Sequence, residues 1–215
     1  MKRSLPVLIS GALLGLFGIA GAGLVGFSHE ATKARIEQNE RDALLQQLQV
    51  LLPLNDFDND LLSDTTDVNA PTLLGSETTR VYRGRKDGEP VAVVLNPVVT
   101  QGYSGAIKLI VAIRTDGTLS GVRVLGHRET PGLGDKIEAR RSNWIDSFRD
   151  KSLLNPEDSG WKVRRDGGVF DQFTGATITP RAVVRGVRSA LLYFNDYKLT
   201  LFEPASQPVA ENRHE

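Results

Sequence analysis

Between Pro6 and Phe27 the chain carries no charged residue: PVLISGALLGLFGIAGAGLVGF. Nothing else in the sequence restricts the fold as much, because so long an apolar run must be buried in protein or lie in lipid. As a helix it would extend roughly 33 Å, about the thickness of a bilayer core. Lys2 and Arg3 precede it, and the cytoplasmic bias of basic residues puts the rest of the chain on the far side. A cleaved signal peptide is the alternative, since Ala20-Gly21-Ala22 has the small residues of a cleavage site. The run is longer than a usual signal core and continues through Leu24, Val25 and Phe27, which favours a retained anchor. Gly11 and Gly15, then Gly18, Ala22 and Gly26, recur at helical spacing. They form a face suited to close packing on another membrane helix, or else belong to a plain tether.

The remainder has the composition of a folded domain. Acidic and basic residues balance at 26 each, and no RNA-binding or zinc-finger signature is present, so nucleic acid is not an expected partner. The chain has no cysteine, which removes thiolate nucleophiles, disulfides and cysteine-held iron–sulfur or zinc centres. The three histidines, His29, His127 and His214, are far apart in sequence and form no local metal pattern, so no metal site is expected. Any redox chemistry must come from an organic cofactor.

Leu44, Leu45, Leu48, Leu51 and Leu52 share one helical face ahead of Pro53, which predicts an amphipathic helix ending there. That stripe serves either the domain core or a partner. Residues 53–75 are acidic and turn-rich, a linker or irregular lead-in. Alternating apolar residues on either side of Asp87-Gly88 (79–99) and of Asp116-Gly117 (105–127) predict two hairpins. Residues 134–149 read as a helix with Ile137, Trp144, Ile145 and Phe148 buried, and 161–173 contain a third Asp-Gly turn. A last helix is predicted over 179–197, with Thr179 as its N-cap and Pro180 at its first position. The expected fold class is α+β: one N-terminal transmembrane helix, then a domain of antiparallel sheet with segregated helices. The expected organisation is a cytoplasmic N-terminus at 1–5, the transmembrane helix at 6–27, a juxtamembrane helix and linker at 28–74, the domain at 75–200 and a disordered tail at 201–215.

Two loops carry the candidate chemistry. In DQFTGATITP (171–180), Thr177 approaches a helix start whose unpaired N–H groups attract phosphate, and Gly175 and Ala176 leave room for a bulky group. An ordinary Ser/Thr-rich cap is the plainer account of the same residues. In HRETPGLGDK (127–136), Glu129, Thr130 and Lys136 surround a Pro-Gly-Leu-Gly turn that has neither a P-loop pattern nor a dinucleotide fingerprint.

Asp171-x-x-Thr174-Gly175-Ala176-Thr177 resembles the flavinylation motif D-x-x-(S/T)-G-A-T of bacterial proteins that carry FMN on threonine through a phosphoester bond. The stretch ETPGLGDK is similar to the other signature of that FMN-binding domain. From the anchor to about residue 196 the chain resembles RnfG, the family of G subunits of the Rnf (Rsx) ion-translocating electron-transport complex. Its domain is also similar to that of the C subunit of the sodium-translocating NADH:quinone reductase. The resemblance implies a membrane-anchored electron carrier with covalent FMN, one component of a translocase. That complex couples electron transfer between ferredoxin and NAD to ion translocation. It implies the bacterial inner membrane, a single pass and a periplasmic C-terminal domain, with the other complex subunits and a flavin transferase using FAD as partners. Thr177 would be the attachment threonine, with Thr179 the runner-up, and Asp171 the motif's acidic position. Glu129, Thr130, Gly132, Leu133, Gly134 and Lys136 would border the flavin, and Thr174, Gly175, Ala176, Ile178 and Thr179 would surround the phosphate end. No catalytic acid or base is implied for a pure electron relay. Tyr103-Ser104-Gly105-Ala106-Ile107 echoes the motif with isoleucine in the threonine position and reads as a strand entry. Two rival accounts are an anchored scaffold domain without cofactor and a self-sufficient flavin reductase; the second would want a substrate domain, heme or nicotinamide motif that the sequence lacks.

Overall fold

The computed structural model describes residues 4–53 and 55–203, so most of the expected disordered tail lies outside the described residues. Its contacts divide the chain into two compact units, Met1–Gln46 and Gln47–Glu215.

The first unit is helical. Helix α1 (Ser4–Leu51) runs without interruption through the apolar stretch and on into the charged one, ending just ahead of Pro53. The transmembrane and juxtamembrane helices expected separately are thus one element. Within it, Ile9–Lys33 is long and apolar enough to cross a membrane, and side chains such as Leu14, Phe17, Ile19 and Phe27 are exposed. A helix that is apolar all round has no single face with which to join a soluble core.

The second unit is built on a six-stranded antiparallel sheet: β1 (Thr65–Val68), β2 (Thr79–Lys86), β3 (Glu89–Leu95), β4 (Val98–Val99), β5 (Ile107–Arg114) and β6 (Leu119–Gly126). Both hairpins sit where the Asp-Gly pairs put them. Gly88 and Gly117 take φ of 82° and 85°, which the turns require and most side chains resist. Strands β3 and β4 lie end to end along one edge of β5, and β6 takes the other edge. The stretch expected as linker contributes β1, which pairs with β2 from Thr65↔Tyr82 to Val68↔Thr79, and the short helix α2 (Pro71–Leu74).

Strand period two sends the two residue sets of each strand to opposite faces, and here both faces are covered. On one face Val81, Val93, Leu95, Val111, Ile113 and Val122 join the main core. That core is completed by Ile145, Phe148, Trp161 and Phe170 and by the buried stripe of α3 (Ile178–Phe202), including Val183, Val187, Ala190 and Leu191. Trp144, expected to be buried, and Trp161 are both core residues, in a cluster where Phe148 and Phe170 stack at 4.6 Å. The other face presents Gly84, Ala92, Ala112 and Gly121, small residues over which Leu51, Leu52 and Leu61 close. The Ser120 hydroxyl, buried there, donates to the Leu51 carbonyl, one of the orphan acceptors at the end of α1. Of the leucine stripe before Pro53, Leu48, Leu51 and Leu52 therefore belong to the domain core.

Residues 134–149 correct the expectation of one α-helix. They form two 3-10 segments, Gly134–Ile137 and Trp144–Phe148, joined by turns. Ser142 explains the break: its hydroxyl donates to the Lys136 carbonyl (2.6 Å) and accepts from the Trp144 amide (3.2 Å), offering the backbone an alternative to helical pairing. Ile137, Trp144, Ile145 and Phe148 are buried nonetheless.

Candidate functional site

The first loop leaves β6 at Gly126 and folds back on itself at Thr130, whose carbonyl accepts from both the Leu133 and Gly134 amides (3.1 and 3.0 Å). Gly132 makes this turn possible, with φ of 79°. The turn sends Glu129 inward, where it is only 4 % exposed, and leaves Thr130, Pro131 and Gly132 outside with Leu133 41 % exposed. Asp135 is buried at the start of the following 3-10 segment and faces Arg141 at 3.5 Å.

The second loop is held at two points. The Trp144 indole donates to the Asp171 carbonyl (2.8 Å), and the Phe173 ring meets Trp144 edge-on at 5.1 Å. Beyond them the chain turns tightly from Phe173 to Ala176, closed by the Ala176 amide on the Phe173 carbonyl (3.2 Å), with Gly175 at φ of 82°. The Asp171 carboxylate stays on the surface against Arg164. Thr177 then occupies the N-cap position of α3 with no side-chain cap bond.

This corrects the assignment of the cap to Thr179. Thr179 lies inside the first turn, 1 % exposed, and its hydroxyl donates to Glu129 Oε2. Pro180 is likewise within the first turn, where its missing N–H costs no helical bond. The Thr177 side chain is half-buried and leaves the helix start open, with Ile178 beside it 44 % exposed. The Ile178 and Thr179 amides, first in α3 and followed by a proline that has none, lack intrahelical partners, and the helix dipole adds positive potential there.

Glu129 is the hub that joins the two loops. Its Oε2 accepts from Thr179 and its Oε1 from the Ser104 amide (3.1 Å). Gly134 fits between them: a Cβ on it would stand 2.9 Å from Glu129 Cβ and 3.0 Å from both Glu129 Oε2 and Thr179 Oγ1. Leu133 lies over the second loop, its Cδ2 3.2 Å from where a Cβ on Gly175 would be. The structure thus brings together Glu129, Leu133, Gly134, Gly175 and Thr179, with Ala176, Thr177 and Ile178 at the same helix start. Thr130, Gly132 and Thr174 are exposed around it. Lys136 follows on the same 3-10 segment as Gly134, half-buried, with its carbonyl accepting from Ser142.

Two further contributors lie outside the residues that the motifs assign. The loop Gly102–Gly105, read as a strand entry, closes on Glu129 through the Ser104 amide and holds Tyr103 67 % exposed. Its signal is the Gly102-Tyr-Ser-Gly105 spacing: a Cβ on Gly102 would fall 2.8 Å from Glu129 Oε1. The other is the pair formed by His127 Nε2 and Glu138 Oε1 at 2.6 Å. The Arg140 guanidinium bonded to Glu138, and then His127, hold that carboxyl down to about 2.

Known proteins match this sequence. The family described as the FMN-binding domain matches residues 102–192, and the RnfG N-terminal region matches residues 1–51. A protein of Pseudomonas aeruginosa, named as the G subunit of an ion-translocating oxidoreductase complex, is 48 % identical over 193 residues, covering 89 % of this chain and 90 % of its own length. Counterparts of the same name from Vibrio atlanticus and Shewanella baltica are 47 % identical over 200 residues and 43 % over 198. Each of these two alignments covers at least 92 % of both sequences. The chain belongs to the RnfG family.

Both loops and the Gly102–Gly105 turn fall within the matched FMN-binding region. The residues of this RnfG family member fit that cofactor on structural grounds. The open start of α3 supplies amide donors and positive potential for a phosphate. Gly175 and Ala176 keep that approach clear of large side chains, and Leu133 and Ile178 present partly exposed apolar surface beside the buried Glu129 carboxylate.

Proposed function

We propose that this member of the RnfG family is a membrane-anchored electron carrier that holds FMN by a phosphoester bond to Thr177. The observation that carries the reading is the division of labour between two threonines. The Thr179 hydroxyl is buried and committed to Glu129, whereas Thr177 stands half-buried at an uncapped helix start. A transferase can reach the second and not the first. In the attachment step, Thr177 Oγ1 loses its proton and forms the bond to the flavin-side phosphorus of FAD, with AMP leaving. The amides at the start of α3 would then hold the phosphoester oxygens.

When bound, the flavin supplies one- and two-electron redox chemistry that a chain without cysteine lacks. The protein's own tasks are positional. Leu133 and Ile178 offer apolar contact, and Glu129 sets the charge behind the loop while tying it to α3. In the complex that its relatives' names describe, the chain would be one redox station between ferredoxin and NAD, on the periplasmic side of the inner membrane. Ile9–Lys33 would be the retained anchor.

The test is a denaturing gel under ultraviolet light with intact mass, on protein made beside an active flavin transferase. The wild type should fluoresce and carry one FMN, Thr177→Val should be dark, and Thr179→Val should still be labelled, at reduced occupancy because its bond to Glu129 is gone. A dark, unmodified wild type refutes the covalent flavoprotein; loss in Thr179→Val alone moves the attachment site.

A further inference from the structure

We infer that His127 is a positioning residue that pins the Glu129 loop through one neutral tautomer, so that protonating the ring releases the loop. The inference deepens the proposed function, because it assumes that the loop borders FMN. Two contacts fix the ring's protons. The Glu129 backbone amide reaches His127 Nδ1 at 3.0 Å. An amide can only donate, so Nδ1 carries a lone pair there. The proton of the neutral ring then sits on Nε2 and is donated to Glu138 Oε1 at 2.6 Å. Glu138 remains an acceptor across the physiological range because Arg140 and His127 keep it ionised.

The arrangement holds the loop by its backbone at the residue whose side chain reaches Thr179 and Ser104. A second proton on the ring would sit on Nδ1 and face the Glu129 N–H donor to donor. The bond is lost in that state, while the bond to Glu138 becomes stronger. Acid would therefore tighten the ring's grip on Glu138 and loosen its grip on the loop. The charged group bonded to the ring is Glu138, which Arg140 bonds in turn; the Asp135–Arg141 pair joins the neighbouring 3-10 segment to the turn after it, and Glu129 follows the ring by two residues in the chain. From helix α3, the neutral Thr179 hydroxyl bonds the Glu129 carboxylate. A histidine kept only for packing would have no preferred tautomer and no reason to control the Glu129 amide.

The test uses the full chain in detergent. Nitrogen-15 resonances of the imidazoles report each tautomer, with His127→Asn identifying the His127 signals. The expected result in mild alkali is an unprotonated Nδ1 and a protonated Nε2. On acidification, exchange of the Glu129 amide should rise roughly 2- to 10-fold above its intrinsic pH dependence, the factor carried by one hydrogen bond of ordinary net strength. A mixture of tautomers, an Nδ1–H ring, or an amide indifferent to His127 protonation overturns the inference. A second measurement follows the flavin midpoint potential against pH. The wild type should show an inflection where His127 titrates, and His127→Asn, which keeps an acceptor near the Nδ1 position but cannot gain a charge, should lack it. Identical profiles in the two proteins also overturn the inference. If intact mass shows no FMN, the proposed function falls, and the tautomer and exchange measurements still decide the role of His127.

Discussion

Replacing Gly134 by alanine tests the junction of the two loops with one carbon atom. Gly134 does not adopt a positive φ, so alanine brings no backbone strain of the left-handed kind. The whole effect comes from the new Cβ, which would lie 2.9 Å from Glu129 Cβ and 3.0 Å from Glu129 Oε2 and Thr179 Oγ1. All three atoms belong to buried side chains held by their mutual hydrogen bond, so none can swing aside cheaply. Overpacking of this kind costs about 1–3 kcal/mol, and weakening a hydrogen bond to a buried carboxylate adds about 1 kcal/mol, so about 2–4 kcal/mol is expected. For a chain of this size that lowers the thermal midpoint by roughly 5–12 °C, readable by circular dichroism of the full chain in detergent. Gly132→Ala is the contrast. Its Cβ meets no atom within 4 Å, but φ of 79° makes alanine strained there, at about 1 kcal/mol. Flavin loading, measured as absorbance per protein, should fall in Gly134→Ala as the Glu129–Thr179 tie is pushed apart. A Gly134→Ala protein with the wild-type midpoint and full loading would show that Glu129, Gly134 and Thr179 are not packed as described.

Three further outcomes are expected. Leu51→Ala should cost about 3 kcal/mol, because Leu51 is fully buried over the second sheet face, and equilibrium denaturation should show it. Gly121→Ala places a Cβ 2.8 Å from Leu51 Cδ2, so its cost should shrink in the Leu51→Ala background; additive costs would refute the contact. For Glu138, a folded value of about 2 against an ordinary 4.5 means that its contribution to stability is complete above pH 4.5 and is lost as pH falls toward 2. Arg140→Ala should therefore raise the acid-unfolding midpoint, and an unchanged midpoint would show that the pair confers nothing.

Where side-chain chemistry acts locally, the sequence was a good guide. Asp87-Gly88 and Asp116-Gly117 turn the chain where glycine at positive φ allows, and alternation on either side places the strands. The two motif loops were legible for the same reason, since their glycines are needed where the backbone turns or another residue comes close. Three features were not legible, each because a partner outside the local pattern decides it. Thr179 resembles a cap, but Glu129, fifty residues earlier in the chain, claims its hydroxyl. Residues 134–149 have helical periodicity, yet Ser142 diverts the backbone and the buried rings tolerate a 3-10 path. The acidic stretch before Gly75 has the composition of a linker, and β1 forms there only because β2 offers an edge.

The leucines that close over Gly84 and Gly121 also decide where the protein can be cut. A soluble version that begins after Pro53 would discard Leu48, Leu51 and Leu52, all buried. It would bare Ala92, Val94, Ile110 and Ala112 to water, an apolar strip across the middle of a sheet and an invitation to aggregate. One that begins at the matched FMN-binding region, residue 102, would lose β1 to β4 as well. The shortest version expected to remain monomeric starts by Gln47, so the last turn of α1 must be kept even when the apolar stretch is removed.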